Sequence, residues 1–88
     1  MIEKEYHTYL KLERGLSPNS VAAYEQDLLR LKSYMDAHGI DIVRATYDDL
    51  QAFVFDTFKS ISNVRTQARL IAGIHSFYRF LLYHHYIE

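Results

Sequence analysis

The run Gly15-Leu16-Ser17-Pro18 constrains the fold of this chain more than any other stretch. Gly15 can stop one helix in a left-handed conformation and Ser17 can cap the next. Pro18 suits the first helical position, where its missing N–H has no partner to lose. Two helices meeting at a sharp corner are thus written into four residues. Elsewhere punctuation is sparse, with one proline and three glycines in 88 residues. No segment alternates apolar and polar residues for long, so strands have little support and the chain reads as all-α.

Four helices fit the spacing. The first is expected from about Glu3 to Arg14, with Tyr6, Tyr9 and Leu10 facing inward and Leu12 at the margin of that face. The second runs from Pro18 to about His38 and ends at Gly39; Val21, Tyr24, Leu28, Leu31 and Met35 recur at the intervals of one buried stripe. Thr46 is placed to cap a third helix, Tyr47 to Lys59, whose Asp48 and Asp49 suit the positive end of the helix dipole and whose inward residues are Leu50, Phe53, Val54 and Phe58. Ser60 or Ser62 then caps a fourth helix reaching about Tyr83, with Val64, Ala68, Ile71, Ile74, Tyr78 and Leu81 as its core stripe.

Eighty-eight residues with 49% apolar content are enough for one core but not for a core and a separate catalytic lobe. The absence of cysteine removes disulfides, thiolate zinc sites and thiol nucleophiles, and fits a reducing cytoplasm. No apolar run has the length of a membrane span and no signal peptide opens the chain, so a cytoplasmic location without membrane contact is expected.

The net charge of −1 argues at first against nucleic acid, yet the charge is unevenly distributed. Residues 40–58 carry a net −3, whereas residues 62–83 carry Arg65, Arg69 and Arg79 and no acid. On the fourth helix Arg65, Arg69, Ala72, Ser76 and Arg79 fall on one stripe, with Thr66, Gln67 and Gly73 beside it. Small residues permit close approach to a duplex, arginine pairs with phosphate or a guanine edge, and Thr or Gln can hydrogen-bond to bases. Ser17, Asn19 and Ser20 lie at the start of the second helix, where free backbone N–H groups favour an anion such as phosphate. The plain alternative for such a stripe is a solvated helix face.

These residues resemble a known family, the tyrosine recombinases that include the Xer proteins and phage integrases, in their N-terminal core-binding, SAM-like domain. The resemblance is carried by Tyr9-Leu10, Glu13-Arg14-Gly15-Leu16-Ser17, Asn19-Ser20, Tyr24 and Asp27-Leu28, then by Ser62, Arg69-Leu70 and the run Ile74 to Leu82, in order over most of the chain. It implies a four-helix orthogonal bundle spanning residues 1–88 that forms one jaw of a clamp on double-stranded DNA at a recombination half-site. The second and fourth helices would lie in or across the major groove. The other jaw would be a C-terminal catalytic domain absent from this chain, with further recombinase protomers assembled on the DNA. On that reading the chain is not itself an enzyme and needs no cofactor. His75 departs from the pattern, standing where members often carry arginine.

Other residues invite functional readings that the pattern supports less well. Tyr6, Tyr9, Tyr24 and Tyr78 sit at core spacing and read as packing residues, so no nucleophile is assigned. His84 and His85 point about a hundred degrees apart on a helix and make a poor metal pair. Asp48 and Asp49 are explained by capping rather than by paired-carboxylate chemistry. Phe77, Tyr78, Phe80 and Tyr83 cannot all face one core, and Phe77 and Phe80 fall off the expected stripe; part of this excess is expected to pack on the missing domain or on a neighbouring protomer, so that Phe80→Ser leaves the domain folded. The competing functional class is a helical protein-interaction or dimerisation module; salt dependence of binding separates the two.

Overall fold

Helix α1 (Ile2–Thr8) does not simply continue to the Gly15 corner, because its last turn widens into a π-helical segment, Tyr9–Glu13. The structure, a computed structural model, describes residues 2–88. In the widened turn the Arg14 N–H reaches back five residues to the Tyr9 carbonyl at 2.9 Å. The extra residue rotates the end of the turn off the buried face: Tyr9 and Leu10 stay inside, but Leu12 is 72% exposed and lies outside the core. Gly15, at φ +61°, then turns the chain, and the Leu16 N–H closes the corner on the Leu10 carbonyl.

Helix α2 (Pro18–Ala37) begins as its sequence dictates, with the Ser17 hydroxyl accepting from the Ser20 N–H and Pro18 at the first position. It ends at Gly39, whose φ of +68° lets the Ile40 N–H bond the Met35 carbonyl at 2.8 Å. Val21, Leu28, Leu31 and Met35 are buried, with Tyr24 packed at their edge. A single 3₁₀ turn, Ile42–Arg44, leads to α3 (Tyr47–Phe58). There Thr46 and Asp49 form a reciprocal capping box: Asp49 N–H to Thr46 Oγ1 at 3.2 Å and Thr46 N–H to Asp49 Oδ2 at 2.9 Å. Only Phe53 of α3 is fully buried; Leu50, Val54 and Phe58 are half-covered.

Helix α4 (Val64–Tyr83) departs from expectation in two respects. Its cap is Asn63, whose Oδ1 accepts from the Arg65 and Thr66 N–H groups, rather than Ser60 or Ser62. Its buried face is Leu70, Gly73, Ile74, Ser76, Phe77, Phe80 and Leu81, while Val64 is 74% and Ile71 39% exposed. The reason is α1. Tyr6 and Tyr9 bring an aromatic wall against the second half of α4, with Tyr6 set edge-on to Phe77 at 5.2 Å and Phe80 tilted against both tyrosines at 5.3 Å. Phe77 and Phe80 are therefore core residues, and the expectation that they await another domain is overturned.

Four α-helices and no strand occur among the described residues, so the chain is an all-α bundle. With overall dimensions of 33 × 29 × 17 Å it is a slab about two helices thick. Each long helix buries one side and leaves the other in solvent.

Candidate nucleic-acid interface

The long helices α2 and α4 pack against each other, and one charged pair lies in the seam between them. Asp27, on α2, has a side chain only 1% exposed. Arg69, on α4, grips it side-on, with Nε donating to Oδ2 at 3.1 Å and Nη2 to Oδ1 at 3.0 Å. The hydrogen bonds to Asp27 raise the Arg69 pKa further above its already high ordinary value. Gly73 makes room for the carboxylate: a Cβ at that position would stand 3.0 Å from Asp27 Oδ2 and 3.1 Å from its Cβ. Removing Arg69 would strand a buried charge, which typically costs about 3–5 kcal/mol.

Away from this seam, α4 exposes Arg65, Ala68, Ala72, His75 and Arg79. Helix α2 exposes Asn19, Ala22, Gln26, Leu29 and Ser33 over four turns. The first face is small and cationic, the second small and uncharged. The acids nearby are occupied: Glu25 turns toward α1 and His7 at 2.8 Å, Asp36 stands 3.8 Å from Lys32, and Asp27 holds Arg69. Arg65 and Arg79 take part in no ion pair among the described residues. The outer face of α4 therefore carries two arginines outside any ion pair, while Asp48 of α3 lines, with His75, a trough between α3 and α4.

The residues singled out from sequence divide accordingly. Arg65, Arg69 and Arg79 share the outer side of α4, Arg69 with its charge partly engaged. Ser17 and Asn19 are exposed and Ser20 half-buried at the start of α2, where the Ser17 Oγ donates to Ser20 Oγ at 3.2 Å. Thr66 is half-buried with its N–H capped by Asn63. Gln67 turns toward the α3–α4 loop and donates from Nε2 to the Ile61 carbonyl at 2.6 Å. Ser76 needs the clearest correction: at 3% exposure it lies in the core, accepting from the Tyr6 hydroxyl at 3.0 Å, and no groove reaches it there. The expected stripe took in Ser76 because it comes after Arg69 and Ala72 at helical spacing, but the α1 wall covers that side of the second half of α4.

Sequence reasoning passed over Ala22 and Gln26, which carry no charge to mark them, and Arg30, three residues beyond Asp27; Ala68, expected in the core stripe of α4, is exposed instead. Arg30 is half-buried and its Nη1 lies out of water with no hydrogen-bond partner. Asp27 was visible only as part of a motif; its signal is an acid set among Val21, Leu28 and Leu31 on a buried stripe.

No group of three or more potential metal ligands occurs among the described residues, and none of their helices is long and apolar enough to cross a membrane. His84 meets Glu13 at 3.2 Å instead.

The family described as phage integrase, N-terminal SAM-like domain, matches residues 4–85. A tyrosine recombinase XerD of Listeria monocytogenes serotype 4b is 38% identical over 85 residues, covering 94% of this chain and 28% of the relative. A tyrosine recombinase XerC of Oceanobacillus iheyensis is 32% identical over 81 residues, 91% of this chain and 27% of its own length. A tyrosine recombinase XerD of Bifidobacterium longum is 29% identical over 85 residues, 96% of this chain and 28% of its own. The chain thus spans little more than a quarter of these relatives. No solved structure matches it.

Proposed function

The chain belongs to the phage integrase N-terminal SAM-like domain family, and from that premise we propose that it is the DNA-binding domain of a site-specific tyrosine recombinase or integrase. It is non-catalytic by itself and clamps duplex DNA at a half-site for a catalytic domain elsewhere in the parent protein. The observation that carries this reading is the carboxylate-free outer face of α4, where Arg65 and Arg79 flank Ala68 and Ala72. Alanines let the helix approach the duplex closely while the arginines reach phosphates or base edges. Asn19, Ala22 and Gln26 extend the contact along α2, and Ser17 and Ser20 anchor its first turn on the backbone. Its partners are then double-stranded DNA, the parent's catalytic domain and neighbouring protomers.

The test is fluorescence anisotropy on a short labelled duplex across a salt series. Each phosphate contact contributes close to one unit to the slope of log affinity against log salt. Arg65→Gln combined with Arg79→Gln is expected to flatten that slope by about 2. An unchanged slope in the double variant would sink the proposal.

One feature favours a second reading, a protein contact. Between α3 and α4 runs an apolar trough formed by Tyr47, Leu50, Val54, Phe55, Ile71 and Tyr78, with Tyr47 73% and Phe55 67% exposed. Such a surface suits protein better than phosphate. Self-association that rises with concentration, resists salt and disappears in Phe55→Ser would support a dimerisation module; a monomer at all concentrations counts against it.

A further inference from the structure

We infer that Asp27 is a positioning residue for DNA binding: buried in the α2–α4 seam, it holds the Arg69 guanidinium so that its unused N–H donors face a backbone phosphate. The inference rests on the reading of α2 and α4 as the DNA-facing surface.

A guanidinium has five N–H donors, and the side-on grip on Asp27 uses one from Nε and one from Nη2. Three remain, one on Nη2 and two on Nη1, at the end of the group and on its side away from the carboxylate. The Arg69 side chain is 36% exposed against 1% for Asp27, so that outer edge is what solvent and a ligand can reach. Small residues neighbour the pair in sequence: Ala72 and buried Gly73 come after Arg69 on α4, and Ala23 lies one turn before Asp27 on α2. Arg65, one turn before Arg69 on α4, is exposed, and Arg30, one turn after Asp27 on α2, is half-buried. The pair thus has a cationic residue one turn away on each helix. A long exposed arginine would lose rotamer freedom on meeting a phosphate; one already fixed by a buried carboxylate has lost it in folding. The buried carboxylate thus holds a partly exposed guanidinium in one geometry.

Asp27→Asn makes the idea testable because two effects oppose each other. The substitution removes a negative charge and moves the net charge from −1 to neutral, so if Asp27 merely offsets Arg69, DNA binding should tighten. If Asp27 positions Arg69, binding should weaken by about tenfold despite the added positive charge, and the salt slope should fall by about 1, as when a phosphate contact is lost. Arg69→Lys keeps the charge but lacks the fork and should show the same loss. The double variant should then be no weaker than either single one, since both remove one contact. Tighter binding by Asp27→Asn, or additive losses, would overturn the inference.

A measurement on the unaltered 88-residue chain covers the case in which a variant fails to fold. The Arg69 Nε–H NMR signal, expected to be protected by its bond to Asp27, should shift on addition of a mixed-sequence duplex. If backbone amides of Arg65 and Arg79 move while the Arg69 side-chain signal stays still, the surface binds DNA and the role given to Asp27 is wrong. If none of them moves, the DNA-binding reading itself fails.

Discussion

Phe80 has no solvent exposure and packs against Tyr6, Tyr9, Phe77 and His84 at the point where α1 meets α4. Truncating a buried aromatic typically costs about 3–5 kcal/mol. A domain of this size holds roughly 4–13 kcal/mol in all. Phe80→Ser is therefore expected to lower the urea midpoint severely or to prevent folding; a midpoint close to that of the parent chain would contradict the packing described. Two tyrosines make a second prediction. Burial pushes the Tyr6 and Tyr78 phenols from 10.0 up to about 12. The unfolded chain ionises first, so their contribution is complete below pH about 10 and drains away as the pH rises toward 12. Denaturant melts across that window should show stability falling with pH, and Tyr6→Phe should flatten the fall. At the end of α4, His85 occupies a left-handed conformation, φ +63°, to let the Tyr86 N–H bond the Leu81 carbonyl. That geometry costs a residue with a Cβ about 1–2 kcal/mol, so His85→Gly should raise the melting temperature modestly.

Among the elements, helix starts and stops were largely legible. Ser17, Pro18 and Gly39 bound α2, and Thr46 starts α3, where local chemistry satisfies the terminal backbone groups without outside help. Asn63 was missed because Ser60 and Ser62 offer the same chemistry nearby, and only the path of the α3–α4 loop chooses among them. Asn63→Ala should cost about 1 kcal/mol in thermal unfolding while Ser62→Ala costs almost nothing; the reverse ranking would move the cap. The rotation of α4 was not legible. Its second half is apolar on nearly every side, from Ile71 through Phe77 to Tyr83, so periodicity alone selects no single face. Long-range partners settle it, with Tyr6 against Ser76 and Phe77 and Asp27 against Gly73. The same rotation decides the candidate site. Arg65 and Arg79 stay outside as expected, while Ser76 and Gln67 turn to internal partners. The π turn at Tyr9–Glu13 likewise left no local mark that separates it from a continuing α-helix.

The molecule as a unit is a slab whose two long helices each keep an open side, and its charge is divided rather than large. Residues 40–58 carry a net −3 and residues 62–83 a net +3, so a net charge of −1 coexists with a locally cationic helix. The chain belongs to the phage integrase N-terminal SAM-like family, and the DNA-facing surface proposed for it is formed by α2 and α4. The most direct test tracks the backbone amides of the labelled domain by NMR while a short duplex is added, at about 50 mM and about 200 mM salt. Shifts concentrated on residues 17–33 and 65–79 that shrink at the higher salt are expected. Shifts confined to α3, or none with excess duplex at the lower salt, would contradict a DNA-binding role for this surface.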